Sequence, residues 1–166
     1  QCTQHLLPLR STTGATPGAP TPPAAPAPTD AEIAKVTITA NSIDIDTGKL
    51  ARKKTDNPEV LAFAERMITD HTASNTRVDE LTNQLQLTPA DNPTSQALTK
   101  DQQATLTTLK GLEGAAFDGA YLTHEVTFHA TLLDEIDRVL LPSAEAPGLK
   151  TVLESLRPVI AAHLEH

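Results

Sequence analysis

Two side chains near residue 125 combine a carboxylate and an imidazole on a helical face that is otherwise apolar. Glu125 and His129 lie within residues 121–129. At about 100° per residue, they share a face with the side chains of Phe117, Tyr121, Phe128, Leu132, Ile136 and Val139. Because burial of an unpaired carboxylate costs several kcal/mol, this pair needs a cation, a proton or a hydrogen-bond network.

Three more polar side chains occupy matching heights on other predicted helices. Asp44 lies about 14 residues into the first helix, His71 about 13 into the second and His163 about 15 into the last. Glu125 and His129 lie about 10 and 14 residues into their own helix. At about 1.5 Å per residue, all five side chains lie about 15 to 22 Å from a helix start. In an up-down bundle they meet near mid-height.

These residue types are ligands for one divalent transition metal, with zinc first and copper, iron or manganese after it. The predicted ligands are His71, Glu125, His129, His163 and Asp44. Asp44 is the weakest candidate, because it lies on the shoulder of its apolar stripe, where a lysine could pair with it. His124 and Asp70 are expected to support a ligand or to face solvent. The alternative is a buried His/Glu hydrogen-bond network without metal.

Helical periodicity and capping residues predict the elements that position these side chains. The first helix is expected from Thr29 or Asp30 to about Lys54, and Asn57 and Pro58 start the next. The expected helices are residues 30–54, 58–85, 95–112, 115–141 and a last one after Gly148. The sequence therefore predicts an all-α fold, an antiparallel four-helix bundle with one extra shorter helix. Pro142 is expected to stop the fourth helix, and Pro158 to kink or split the last.

The N-terminal residues differ in composition from the predicted bundle of residues 30–166. Residues 1–29 include a Pro/Ala/Thr-rich tract without apolar periodicity, which predicts a disordered tether. Cys2 ahead of such a tether resembles a lipid-anchored bacterial protein, although Gln1 precedes the cysteine that lipidation would leave first. The alternative is a processing artefact.

Composition excludes several classes of function. The net charge is -8, from 21 acidic and 13 basic residues, and aromatic residues make up 2%, so nucleic acid is not an expected partner. A metal ion and a protein of the cell envelope remain as expected partners. No apolar run reaches the roughly 18 residues of a membrane span. The single cysteine excludes an internal disulfide framework and a thiolate zinc cluster.

Motifs for catalysis are missing from the sequence. It has no Ser or Cys nucleophile with a partnered base, no Gly-rich phosphate loop and no dinucleotide fingerprint. Di-iron carboxylate proteins use two Glu-x-x-His pairs, whereas this chain has only the Glu-x3-His spacing of Glu125 and His129. An enzyme is therefore not favoured, although an open position on a metal would permit hydrolysis or oxygen chemistry.

Three motifs resemble those of a known family of exported bacterial proteins. They are Met-Ile-x-Asp-His at residues 67–71, Tyr-x3-Glu-x3-His at 121–129 and His-Leu at 163–164, and residues 40–51 add to the likeness. The resemblance is to domain-of-unknown-function family 4142, and it covers about residues 30–166. It implies a ferritin-like four-helix bundle in the periplasm or outer membrane, without established activity. It maps recurring histidines onto His71, His129 and His163. The family commonly has Glu where Asp44 stands, and the shorter carboxylate reaches less far.

Overall fold

Every regular element of the part of the chain that the structure describes, residues 26–166 of a computed structural model, is helical. The helices are α1 (Asp30–Lys54), α2 (Pro58–Gln84), α3 (Pro93–Lys110), α4 (Gly114–Glu135), α5 (Leu141–Ser143) and α6 (Pro147–Leu164), with a π-helical turn at Ile136–Leu140 between α4 and α5. The all-α prediction is confirmed. The predicted tether, residues 1–29, lies almost entirely outside the described residues and stays a prediction.

Local capping chemistry sets the ends of the first two helices. The Thr29 hydroxyl accepts the backbone N–H of Glu32, and the Glu32 carboxylate accepts the N–H of Thr29 at 2.8 Å, which completes a capping box. The Asn57 side chain accepts the N–H of Glu59 at 2.9 Å, and Pro58 occupies the first helical position of α2. Both predicted starts are therefore confirmed.

Contacts between helix ends fix the direction of each helix. Asp30, at the start of α1, accepts the backbone N–H groups of Glu145 and Ala146 at 2.8 and 2.9 Å, immediately before α6. Lys54, at the end of α1, donates to the backbone carbonyls of Lys110 and Leu112 at 2.9 and 2.6 Å. The helices α1 and α6 therefore run one way, while α2 and α4 run the other.

Four of the helices form the bundle. Helix α1 packs against α2 and α4, and α6 packs against the same two helices, so adjacent members are antiparallel. The shorter helix α3 lies outside, against α1 and α4, and carries the chain back between α2 and α4. This arrangement matches the predicted bundle with one extra shorter helix.

A layer of polar residues divides the core of the bundle. The first apolar cluster includes Ile33, Val36, Leu132, Ile136, Leu153 and Ile160. The second includes Ala51, Val60, Ala64, Leu109, Phe117 and Tyr121. Between them along α1 and α4 lies a buried polar layer, defined here as Asn41, Asp44, Thr47, His71, Glu125, His129 and His163. A polar layer inside an apolar core costs stability unless its groups are paired.

Two proline predictions need correction. The helical segment does not stop at Pro142 but continues to Ser143. In the wider π-helical turn before it, the N–H of Leu141 donates to the carbonyl of Ile136, and this relieves the clash expected of a proline ring. Of the two outcomes predicted for Pro158, a split is wrong, because α6 is continuous from Pro147 to Leu164, and a kink stays a prediction. The Pro158 side chain is exposed, so water can reach the carbonyl that loses its helical partner.

No helix among the described residues is both long enough and apolar enough to cross a membrane.

Candidate metal centre

Four helices bring the polar layer together at one height. Asn41, Asp44 and Thr47 come from α1, His71 from α2, Glu125 and His129 from α4, and His163 from α6. One nitrogen from each of the three histidines lies within 4.8 Å of the others. The residues are 1% (His71), 1% (His129) and 4% (His163) exposed. The imidazoles therefore form a closed cluster.

The tautomer of His71 is fixed by the hydrogen bond at its outer ring nitrogen, Nδ1. Asn41 donates its amide N–H groups to the Ser74 hydroxyl and to the Asn75 side-chain oxygen, both at 2.9 Å, so its own oxygen is an acceptor. That oxygen lies 2.9 Å from Nδ1 of His71, which must carry the proton. The lone pair of His71 is consequently on Nε2, which has no hydrogen-bond partner.

The other two histidines are held in the same way. Nδ1 of His129 donates to the backbone carbonyl of Glu125 at 2.8 Å, which leaves the lone pair on Nε2. Nε2 of His163 donates to the Asp70 carboxylate at 2.8 Å, which leaves the lone pair on Nδ1. These two lone-pair nitrogens lie 3.2 Å apart. Two lone pairs at that distance repel each other unless a proton or a cation lies between them.

The spacing of the imidazoles matches a single tetrahedral ion. With zinc–nitrogen bonds of about 2.05 Å, two ligand nitrogens lie about 3.3 Å apart, and the centroids of their rings about 5.2 Å apart. The observed nitrogens of His129 and His163 are 3.2 Å apart. The ring centroids are separated by 5.5 Å (His71 and His129), 5.3 Å (His71 and His163) and 5.1 Å (His129 and His163). These residues therefore fit a metal ion.

Two buried carboxyl groups adjoin the imidazoles. Asp44 is 0% exposed, and its Oδ2 lies 3.3 Å from Nε2 of His71. Thr47 donates its hydroxyl to Oε1 of Glu125 at 2.9 Å. Within residues 26–166, Oε2 of Glu125 and both oxygens of Asp44 have no hydrogen-bond partner. Asp44, Glu125 and His129 form a second group whose ligand atoms lie within 4.8 Å of one another.

Burial holds most of this centre in its neutral form. It raises the pKa of Asp44 well above its ordinary value, with a further rise from neighbouring Glu125, and it raises the pKa of Glu125 to about 7. Burial lowers the pKa of His71 to about 3 and of His129 to about 4, and it also lowers that of His163. The imidazoles are thus neutral at neutral pH, which is the form that binds metal.

The structure brings the five predicted ligands to one place, and their role as ligands stays a prediction. One expectation about them is wrong: Asp44 is not at the edge of a stripe and has no lysine partner, because α1 is covered on both flanks by α2 and α4. Asp70 supports His163, as expected for a residue behind a ligand. His124 stacks on Phe128 at 5.6 Å, outside the cluster.

Sequence reasoning did not identify the two residues of α1 that orient the centre. Asn41 positions His71, and Thr47 contacts Glu125. A usable signal is present, because Asn41, Asp44 and Thr47 recur every third residue and place polar groups on the buried face of α1.

Comparison with known proteins adds a family and a fold neighbour. The family described as Domain of unknown function (DUF4142) matches residues 15–166. The structure is also similar to a crystal structure named "putative secreted protein DUF305 from Streptomyces coelicolor", with a TM-score of 0.70 and 13% identity over 82% of this chain and 87% of that chain. At that identity the likeness shows the fold alone. No curated protein matches the chain. Because the family match spans far more than half of the sequence, the chain belongs to the DUF4142 family, as the motifs around His71, Glu125 and His163 had indicated.

Proposed function

We propose that this protein binds one divalent transition-metal ion through His71, His129 and His163, with Asp44 or Glu125 completing the coordination. One observation carries the proposal: three buried imidazoles, each held by a hydrogen bond at one ring nitrogen, bring one nitrogen each to within 4.8 Å of the others. Histidines that bind metals in proteins are held by such outer hydrogen bonds. Zinc suits a closed set of nitrogen and oxygen ligands best, and copper, iron and manganese follow.

The buried charges favour one ion rather than two. Asp44 and Glu125 supply at most two negative charges, and the three imidazoles supply none. One divalent cation balances both carboxylates once they are ionised. A second cation would leave two uncompensated positive charges away from water, which costs several kcal/mol per charge.

The burial of the ligands favours holding an ion over catalysis. Asp44, Glu125 and the three histidines are each between 0% and 4% exposed. Within the described residues, the surface cavities are lined by neighbours such as Ile43, His124 and Asp70 rather than by these five. A substrate larger than water therefore has no path to the ion in this conformation. Metal binding, storage or sensing fits this geometry.

A metal-free role is the second candidate, and the hydrogen-bond network of Asn41 favours it. That residue links α1 to three side chains of α2 without any ion. A shared proton between Asp44 and Glu125 would neutralise the remaining charge. In that case the polar layer fixes the register of the helices, and the protein is a structural or protein-binding module of the cell envelope.

We also propose that the protein acts outside the cytoplasm, in the periplasm or at the outer membrane. The family resemblance supports export. The fold neighbour is named as a secreted protein, which also supports export. Lipidation of Cys2 would anchor the chain, and this cysteine lies outside the described residues. Mass spectrometry of the protein from its own host, after separation of soluble and membrane fractions, would detect the mass added by an acyl group; an unmodified Cys2 in the soluble fraction would exclude the anchor.

Metal analysis tests the main proposal. The full chain is purified without metal-affinity resin, dialysed against zinc and then against buffer, and analysed by mass spectrometry for bound metal. We expect about one equivalent in the wild type, and His71→Gln and His129→Gln should lose most of it. His124→Gln is the matched control, since it removes a histidine of α4 outside the cluster.

A contrary result favours the metal-free role. Zinc below about a tenth of an equivalent, with no change in melting temperature on adding zinc, copper, iron or manganese, would exclude metal binding. Equal loss of zinc in His124→Gln and His129→Gln would show that the bound metal is not in this centre.

A further inference from the structure

Among the described residues, Asp70 is the partly exposed side chain that forms a direct hydrogen bond with one of the three imidazoles. Its side chain is 34% exposed, whereas the Asn41 residue that supports His71 is 2% exposed. The third partner, the backbone carbonyl of Glu125, lies within a residue that is 1% exposed. The hydrogen bond from His163 to Asp70 therefore links the centre to a side chain that water reaches.

The His163 ring stands between the surface and the other two imidazoles. Its Nε2 faces outward to Asp70 at 2.8 Å, and its Nδ1 faces inward to Nε2 of His129 at 3.2 Å. A surface depression of about 140 Å³ lies over this seam between α2 and α6, and Asp70, Ser74 and Leu156 are among its lining residues. Asp70 is the acidic residue that lines this depression, Arg77 also lines it, and His163 lies behind Asp70 through their hydrogen bond.

We propose that Asp70 is a capture and positioning residue through which the metal ion is taken up and released at the seam of α2 and α6. The inference rests on the metal-binding function proposed above. The carboxylate concentrates the cation at the surface by electrostatic attraction. Rotation of the His163 ring then breaks its hydrogen bond to Asp70 and exposes the nitrogens behind it. Release follows the same route in reverse.

Arg66 opposes this capture. Its Nε lies 3.8 Å from Oδ2 of Asp70, the oxygen that also accepts from His163. The guanidinium partly neutralises the carboxylate and so weakens its attraction for a cation. Arg66 and Asp70 should therefore change the rate of uptake in opposite directions.

Exchange kinetics separate capture from support of a ligand. Zinc uptake and chelator-driven release are followed by stopped flow on the full chain for the wild type and Asp70→Asn. The asparagine oxygen still accepts from His163, so the tautomer is kept and only the charge is lost. In Asp70→Asn we expect uptake and release both to slow by about tenfold, with the Kd changed by less than about threefold. Added salt should slow uptake by the wild type but not uptake by Asp70→Asn.

Matched variants complete the test. Asp79→Asn removes the same charge from an exposed position of α2 and should leave both rates unchanged. Arg66→Gln should accelerate uptake, whereas Arg52→Gln, whose arginine lies near Glu65 at 3.7 Å, should not. Asp70→Glu should restore most of the wild-type rate.

Each contrary outcome has a separate meaning. Equal rates in Asp70→Asn and Asp79→Asn would overturn the role of Asp70 and leave the metal centre standing. A faster release with unchanged uptake in Asp70→Asn would show that the residue only supports His163. If the wild type binds no zinc at all, the metal-binding function fails, and this inference fails with it.

Discussion

At the scale of single residues, the centre depends on the groups that hold the outer nitrogen of each imidazole. Asn41, Asp70 and the Glu125 carbonyl each accept a hydrogen bond from one imidazole and so decide which nitrogen faces inward. The histidine positions follow from helical spacing alone, whereas the tautomers of His71 and His163 depend on partners from other helices. For that reason the sequence predicts the ligands and not their orientation.

Asn41→Ala should weaken zinc binding without removing any ligand. His71 would lose the acceptor for its Nδ1 proton, and loss of such a support typically costs about 10 to 100-fold in metal affinity. The measurement is the zinc Kd by competition with a chelating dye. Asn75→Ala is the control, because Asn75 belongs to the same network but does not contact His71. Equal affinities in the two variants would contradict the assigned tautomer.

The histidines should make the metal-free protein sensitive to acid. The pKa values of His71 and His129 fall from 6.5 to about 3 and about 4 on folding, so their contribution is complete above pH 6.5 and is lost as the pH falls through 4 and 3. Glu125 opposes this loss between its ordinary pKa of 4.5 and its folded pKa of about 7, and Asp44, whose pKa is also raised, opposes it down to its ordinary value of 3.8. We expect the free energy of unfolding to drop below about pH 4.5, by up to about 1.4 kcal/mol per pH unit in total.

Urea unfolding at pH 4.5, 4.0 and 3.5 in the presence of a chelator measures this slope. A free energy of unfolding that does not change over that interval would show that the histidines are already protonated in the folded protein. Protonation of the folded histidines competes with zinc, so the zinc Kd should rise steeply as the pH falls toward 4.

At the scale of helices, local chemistry explains the starts and long-range contacts explain the exceptions. The caps at Thr29 and Asn57 are readable from neighbouring residues, and both helices begin where those caps place them. The π-helical turn at Ile136–Leu140 has no such local signature. Its wider turn keeps Leu132, Ile136 and Leu140 all buried in one cluster, which is a property of the packed bundle rather than of the segment.

Asp30→Ala should destabilise the bundle by about 1 to 3 kcal/mol. The Asp30 carboxylate accepts the backbone N–H groups of Glu145 and Ala146, so its loss leaves two donors at the start of α6 without that partner and removes a favourable charge from the start of α1. Thermal unfolding beside Asp79→Ala, an exposed acid of α2, measures the difference. A shift no larger than that of the control would mean that water replaces both bonds.

At the scale of the whole molecule, the buried polar layer separates the two apolar clusters of the bundle. It destabilises the fold when its charges are not neutralised. Four helices that meet at mid-height could be predicted from the sequence. Helical periodicity and the distance of a residue from its helix start both follow from position along the chain. The sequence placed Asp44 at a stripe edge because the width of the buried face of α1 depends on how many helices cover it, and here α2, α3 and α4 all pack against α1. Depth of burial is a property of the assembly.

The two buried carboxyl groups should lower the stability of the metal-free protein and strengthen zinc binding. Burial raises the pKa of Glu125 to about 7 and also raises that of Asp44. Their contribution to stability is therefore present at low pH, and the part from Glu125 is lost as the pH rises through 7. Asp44→Asn combined with Glu125→Gln keeps the shapes and removes the ionisation. The metal-free double variant should therefore melt higher than the metal-free wild type at pH 8, and no higher at pH 5.

The same variant should lose the stabilisation that zinc gives the wild type, because neutral amides cannot balance the charge of the ion. Differential scanning calorimetry of both proteins at pH 5 and 8, with zinc or with chelator, measures all of these effects together, and Asp79→Asn controls for a change in surface charge. If the double variant keeps the full zinc-induced rise in melting temperature, the carboxyls do not take part in binding. If it melts lower than the wild type at pH 8 in chelator, the carboxyls are paired in a way that amides cannot reproduce, and the polar layer stabilises the fold without any ion.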